Sequence, residues 1–165
     1  MNEAASIAPE IPPQEVPPGF RLIAFEGVTF NGMIGPIWIS REAGETVLGF
    51  RAEQRHCNPA GILHGGMMMS IADMTAGFCT AMSAGIDKFM PTVNMTFDFV
   101  ASGNVGDWIE GRSEVMKITR SLAFATVDLS VAEQGGERRR LLRASCIMKI
   151  PSGEGFRFDR ARLIG

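Results

Sequence analysis

The chain has 165 residues, of which 45% are hydrophobic and 21% are charged, and its formal net charge is −2. This length predicts one folded domain with a single core, and the small negative charge argues against a general nucleic-acid-binding protein. Residues 1–19 contain five of the nine prolines and lack a basic segment followed by an apolar one. We therefore expect a disordered or extended arm over 1–19 and not a signal peptide. We expect the folded domain to span 20–150 and a C-terminal tail to span 151–165.

The predicted elements give an α+β fold class. Residues 20–30 fit either a short helix or a strand, and the alternating segments 33–41 and 45–53 predict a hairpin. A long helix is predicted over 64–84, ended by Gly85. Four strands with short connections follow, which predicts an antiparallel meander over 91–100, 107–118, 121–132 and 139–150. Because the helix is apolar nearly all round, we expect a curved antiparallel sheet wrapped around it.

The apolar run from Leu63 to Ile86 is long enough to cross a bilayer. It contains His64, Asp73 and four glycines, however, and it is the only such run in the chain. We therefore interpret it as a buried core helix and expect no association with a membrane.

The chain has three cysteines, Cys57, Cys79 and Cys146, whose spacing fits no metal motif. An odd number of cysteines without such a motif indicates reduced thiols in a cytoplasmic protein. With only His56 and His64, the chain has too few histidines for a typical zinc site. Cys57 beside His56 is kept as an alternative nucleophile.

Asp73 is the only carboxylate between Leu63 and Ile86, and no lysine or arginine accompanies it there. An unpaired carboxylate in an apolar helix is costly, which makes Asp73 a candidate general base or nucleophile. Eight residues earlier, Gly65 lies at the start of the predicted helix, where a free backbone N–H can stabilise a developing oxyanion, with His64 and Gly66 beside it.

Gly65 and Asp73 lie about 12 Å apart along one helix, given a rise of about 1.5 Å per residue. They cannot act on one carbonyl within a single subunit. A second antiparallel copy of the helix would unite them, which predicts a homodimer with two composite sites. The alternative is that Asp73 is a hydrogen-bonded structural carboxylate and that Gly65-Gly66 is a plain helix start.

The segment NPAGILHGGMMMSIADMTAG, residues 58–77, closely resembles the signature of the hotdog-fold acyl-CoA thioesterases, specifically the PaaI-like group. The segment from Pro91 to Ser130 is similar to the strand pattern of the same family. The resemblance spans about 28–150 and leaves the arm and the tail outside it. It implies a hotdog fold, hydrolysis of an acyl-CoA thioester without a metal or other cofactor, and a dimer or a dimer of dimers.

The resemblance also implies roles for individual residues. Asp73 would act as base or nucleophile, while the Gly65 N–H of the partner polarises the thioester carbonyl. Asn58 would help to place the water, and His64 would support the carbonyl end or product release.

Further along the chain, Thr92 matches a serine or threonine that relatives often have at the start of the strand after the helix. Arg120 and Ser121 match a turn near the CoA moiety, although they also fit a plain surface hairpin. Two other functions remain open, namely a hotdog hydratase or dehydratase and a non-catalytic acyl-CoA-binding protein.

Overall fold

The computed structural model describes residues 16–25, 29–42, 44–133, 137–153 and 156–157. Most of the expected arm, and much of the expected tail, therefore lie outside the described residues. Within them a seven-stranded antiparallel sheet wraps around one long helix. The helices are α1 (Phe30–Ile34) and α2 (Gly65–Ala84), and the strands are β1 (Arg21–Leu22), β2 (Trp38–Glu42), β3 (Glu45–Arg51), β4 (Thr92–Phe99), β5 (Trp108–Ile118), β6 (Leu122–Ala132) and β7 (Arg138–Lys149).

Helix α2 confirms the predicted long helix almost residue for residue. His64 is its N-cap, and Gly85 ends it in the left-handed conformation with φ of 69°. A residue with a side chain is strained at such a φ, so glycine is the natural C-terminal cap. The helix packs against β3, β4, β5, β6 and β7. No helix in the described part of the chain is long and apolar enough to cross a membrane.

The N-terminal half differs from the predicted hairpin in one place. Strand β2 begins at Trp38 instead of residue 33, because Met33 and Ile34 belong to α1. Pro36 follows soon after and has no N–H to continue the helix or to enter a strand ladder. The ambiguous segment 20–30 contributes only the short strand β1 and the first residue of α1.

The expected four-strand meander is confirmed for β5, β6 and β7 but is wrong for β4. The sheet order is β1-β2-β3-β5-β6-β7-β4, so β4 pairs with β7 at the far edge and β5 lies beside β3. The burial of the two strands explains why β5, and not β4, lies beside β3. Strand β5 begins with four consecutive buried residues, whereas every residue of β4 is exposed or half-buried. Polar side chains alternate along β4, as expected for an edge strand.

Helix α2 and the sheet approach each other closely at Gly111 in β5. A Cβ built there would lie 2.2 Å from Thr75 Oγ1 on α2 and 3.0 Å from Leu129 Cδ2 on β6. Thr75 is fully buried, and its hydroxyl donates to the Ile71 carbonyl at 2.7 Å. A glycine is therefore required at this position for α2 to lie directly on the sheet.

The three cysteine thiols are free and differ in exposure. Burial raises the pKa of the Cys79 thiol to about 12. Burial, followed by the nearby negative charge of Asp73, raises the pKa of Cys146 to about 11. Cys57 is half-exposed, and partial burial raises its pKa as well.

We predict that Gly111→Ala lowers the free energy of unfolding by about 1–3 kcal/mol, because the added methyl overpacks the contact with Thr75. Urea denaturation measures the change. The double variant Gly111→Ala/Thr75→Ala should lose less than the sum of the two single variants, since the second change removes the clashing atoms. Unchanged stability of Gly111→Ala would contradict this account of the core.

We also predict that a short pulse of iodoacetamide at pH 8 labels Cys57 well before Cys79 and Cys146. The two buried thiols remain protonated at that pH and are shielded from the reagent. Peptide mass spectrometry measures the label at each site, and unfolding in guanidinium should make all three equally reactive. Early labelling of Cys79 in the folded protein would contradict its burial in the core.

Candidate active site

The turn before α2 is fixed by side-chain and backbone hydrogen bonds. His64 Nδ1 accepts from the Gly66 N–H at 2.9 Å, and the His64 N–H donates to the His56 carbonyl at 2.9 Å. Because Nδ1 is an acceptor, the neutral ring carries its proton on Nε2. The His64 side chain is exposed, so this N–H is available to a ligand. A Cβ at Gly66 would lie 3.0 Å from Nδ1, which explains why this position favours glycine.

Gly65 is the first residue of α2. Its N–H is therefore one of the amides at the N-terminus that have no acceptor within the helix. No residue in the described ranges accepts a hydrogen bond from it. The positive end of the helix dipole adds to the attraction for a negatively charged oxygen. This end of the helix can therefore hold a carbonyl oxygen that becomes negative.

Asp73 lies on the exposed side of α2, and Thr92 is its hydrogen-bond partner. The Thr92 hydroxyl donates to Asp73 Oδ1 at 2.6 Å, from the first residue of β4. No other hydrogen bond to this carboxylate comes from the part of the chain that the structure describes. The structure thus brings together two residues chosen from the sequence, and it leaves Oδ2 available to a water or a substrate.

Two adjoining clefts lie along the exposed side of α2. The smaller has a volume of about 300 Å³ and contains Asp73, with apolar walls that include Met69, Met95 and Phe97. The larger has a volume of about 600 Å³ and contains His64 and Gly66. Its walls come from α1, from the 3-10 turn Gln54–His56 and from the start of α2.

The remaining expected site residues line neither cleft in the described structure. The Asn58 Oδ1 accepts from the Ala60 N–H at 3.0 Å and stabilises the loop before α2. Arg120 and Ser121 are exposed in the turn between β5 and β6. The Ser121 carbonyl accepts from Ile150 at the end of β7, which places this turn at the same end of the sheet as Thr92. Their roles stay predictions.

Cys57 lines the larger cleft, but its surroundings do not activate a nucleophile. The neighbouring ring of His56 is buried, and its Nδ1 accepts from the Glu53 N–H at 3.0 Å. The Cys57 Sγ lies 3.5 Å from the Glu53 carbonyl. Since the pKa of this thiol is raised and the imidazole faces the backbone, the Cys57–His56 alternative loses its support.

Sequence reasoning missed the cleft walls supplied by α1 and by Arg55. Helix α1 has five residues, which is too short for a hydrophobic period to be visible. The two ends of α1 did carry a sequence signal for a helix, because Thr29 is a good N-cap residue and Pro36 lies just beyond the C-terminal end.

The family model described as the thioesterase superfamily matches residues 60–137. A putative esterase from Pseudomonas aeruginosa, PA0474, is 31% identical over 137 residues, which cover 82% of this chain and 98% of that protein. The human protein named acyl-coenzyme A thioesterase 13 is 29% identical over 106 residues, covering 61% of this chain and 72% of its own.

Among solved structures, zebrafish thioesterase superfamily member 2 matches with a TM-score of 0.66 and 25% identity, covering 76% of this chain and 89% of that one. This match confirms the hotdog fold expected from the sequence. The matched segment includes the turn, the long helix and Thr92. The family match and the relative covered over almost its whole length show that the chain belongs to the thioesterase superfamily.

Proposed function

We propose that this protein is an acyl-CoA thioesterase in which Asp73 activates the attacking water or itself attacks the thioester. The observation that carries the proposal is the Asp73 carboxylate, which Thr92 holds by one oxygen at the edge of an apolar cleft. The activity of the superfamily and the name of the human relative support a CoA thioester as substrate. Hydrolysis would release the free acid and CoA.

In this proposal, Asp73 and Gly65 each have a different role in the hydrolysis. In the general-base route, Oδ2 of Asp73 takes a proton from water while the water oxygen bonds to the thioester carbon. The carbonyl oxygen becomes an oxyanion, which the Gly65 N–H stabilises. Collapse of the tetrahedral intermediate then breaks the C–S bond, and the CoA thiolate recovers the proton. In the nucleophilic route, Oδ2 of Asp73 bonds to the thioester carbon, the C–S bond breaks and CoA leaves as the thiolate. Water then hydrolyses the anhydride, which releases the free acid, restores the Asp73 carboxylate and supplies the proton that the thiolate takes up.

We also propose a homodimer in which Asp73 of one protomer faces Gly65 of the other. The support is the helical rise, which separates the two groups by about 12 Å within one chain. A further argument is that, among the described strands, β4 pairs with β7 alone and exposes Val93 and Phe99. An unpaired edge with exposed apolar side chains is suited to a second copy of itself. A dimer of dimers would repeat this unit.

The other expected residues take supporting roles in this proposal. His64 Nε2–H and the Gly66 backbone would lie next to the thioester carbonyl of the substrate, and Asn58 would help to orient the water. Arg120 and Ser121 would contact the CoA moiety. We propose a cytoplasmic location, since reduced thiols suit that compartment.

We predict that Asp73→Asn folds normally but lowers kcat for acyl-CoA hydrolysis by about 10²–10⁴-fold, the range typical of a lost general base. Release of CoA, followed with a thiol reagent, measures the rate. Asp87→Asn is the matched control, because Asp87 pairs with Arg157 outside the clefts and should leave kcat unchanged. Hydrolysis at the normal rate by Asp73→Asn would refute the proposed chemistry. A parallel assay of enoyl-CoA hydration separates the hydratase alternative.

The composite site predicts that two inactive variants complement each other. Gly65→Pro removes the proposed oxyanion donor at the first helical position, where proline is well tolerated. Gly65→Ala keeps the N–H and is the control for added bulk. When Asp73→Ala and Gly65→Pro protomers exchange at equal amounts, half of the dimers carry one intact site, so about a quarter of normal activity should return. No recovery, with exchange verified by co-purification of differently tagged protomers, would mean that one protomer supplies both groups.

A further inference from the structure

Helix α1 is a single short helix that cannot be stable by itself. Isolated helices of fewer than about 12 residues are marginal in water, and α1 has five residues. Its N-terminus is capped by the Thr29 hydroxyl, which accepts from the Gly32 N–H at 3.2 Å. None of its residues is buried. Its position is therefore set from its C-terminal end, where Ile34 packs half-buried against the core and polar contacts from another segment hold the last turn.

Arg55 supplies those contacts from the 3-10 turn. Its guanidinium donates to the Met33 carbonyl at 2.7 Å and also to the Gly35 carbonyl. Its Nε donates to Glu53 Oε2 at 2.8 Å, which fixes the direction of the side chain. A cation at the C-terminal carbonyls of a helix also interacts favourably with the helix dipole. One arginine thus ties the end of α1 to the wall of the larger cleft.

Phe30, the first residue of α1, stands where the two clefts meet. Phe30 and Ser70 line both the cleft that contains Asp73 and the larger one. The Phe30 side chain remains 58% exposed, so its ring is not part of the core. An apolar ring therefore lies between the Asp73 cleft and the larger one, which Met33, Ile34 and Met67 also line.

We propose that Phe30 is a specificity-determining residue that restricts the acyl group to the smaller cleft, and that Arg55 is the positioning residue that holds Phe30 there. The proposal rests on the proposed thioesterase function and adds a substrate class to it. A cleft of about 300 Å³ is at the lower end of the range for ligand pockets and suits a short-chain or single-ring acyl group. Long linear acyl groups would need the larger cleft as well.

The first test compares kcat/KM for dodecanoyl-CoA and hexanoyl-CoA in wild type and Phe30→Ala. We expect the ratio of dodecanoyl to hexanoyl to rise by about tenfold or more, because an opened pocket gains contacts with several methylenes. Phe156→Ala is the matched control, since Phe156 is 72% exposed and lines neither cleft. A ratio within twofold of wild type in Phe30→Ala overturns the proposal for Phe30.

The second test concerns Arg55. Arg55→Ala should raise the same ratio, with the change appearing mainly as a lower KM for dodecanoyl-CoA. Arg55→Lys should give a ratio between those of wild type and Arg55→Ala, because lysine keeps the charge but cannot donate in the three directions of a guanidinium. If Arg55 acts by positioning the Phe30 ring, the double variant Phe30→Ala/Arg55→Ala should have the same dodecanoyl-to-hexanoyl ratio as Phe30→Ala alone. An equal loss of activity on both substrates in Arg55→Ala, or additive changes in the ratio, overturns the positioning role.

A binding measurement separates this inference from the proposed function. Calorimetry on the Asp73→Asn variant gives dissociation constants for both acyl-CoA esters without turnover. The dodecanoyl-to-hexanoyl affinity ratio should rise about tenfold when Phe30→Ala is added. If wild type hydrolyses neither ester but this ratio changes, the thioesterase proposal fails and the role of Phe30 stands. If hydrolysis occurs but neither ratio changes, only the role of Phe30 fails, and absence of both binding and hydrolysis overturns both.

Discussion

Helix α2 advances about 1.5 Å per residue, and this rise separates its first amide from a carboxylate two turns later. The Gly65 N–H is useful only at the beginning of the helix, where no preceding turn accepts its hydrogen bond. Asp73 is useful only where one side of the helix leaves the sheet and meets solvent. The proposed mechanism needs both groups near one thioester carbonyl, and one rigid helix cannot bend to bring them together. The dimer proposal, the position of the clefts and the division of chemical roles all follow from this separation.

The packing of α2 decides which of its residues can act. The helix lies so close to β5 that only a glycine fits at position 111. This contact buries one side of the helix deeply and leaves Met69 and Asp73 exposed on the other. The edge strand β4 then places Thr92 against Asp73. The interaction that orients the carboxylate therefore depends on the sheet order, in which β4 lies at the edge beside β7.

Much of this could be predicted from the sequence because the relevant signals are local. The apolar helix with Gly85 at its end, the unaccompanied Asp73 and the alternating late strands are visible within short windows. The place of β4 was not predictable in this way, since strand pairing between β4 and β7 depends on contacts about fifty residues apart in the chain. Helix α1 was missed because it is held by the distant Arg55 and by one half-buried residue, Ile34, which together give no visible hydrophobic period. In the proposed dimer, the positions of Asn58 and Arg120 relative to the substrate would also depend on the second protomer, which a single sequence does not place.

The most direct measurement is a crystal structure of the Asp73→Asn variant with an acyl-CoA analogue in which a methylene ketone replaces the thioester. The account predicts the ketone oxygen within about 3 Å of the Gly65 amide of one protomer, with the side chain at position 73 of the other protomer facing the carbonyl carbon. The acyl group should lie in the cleft bounded by Phe30. A ketone oxygen bound away from every Gly65 amide, or a carbonyl approached by residues 65 and 73 of the same protomer, would contradict it.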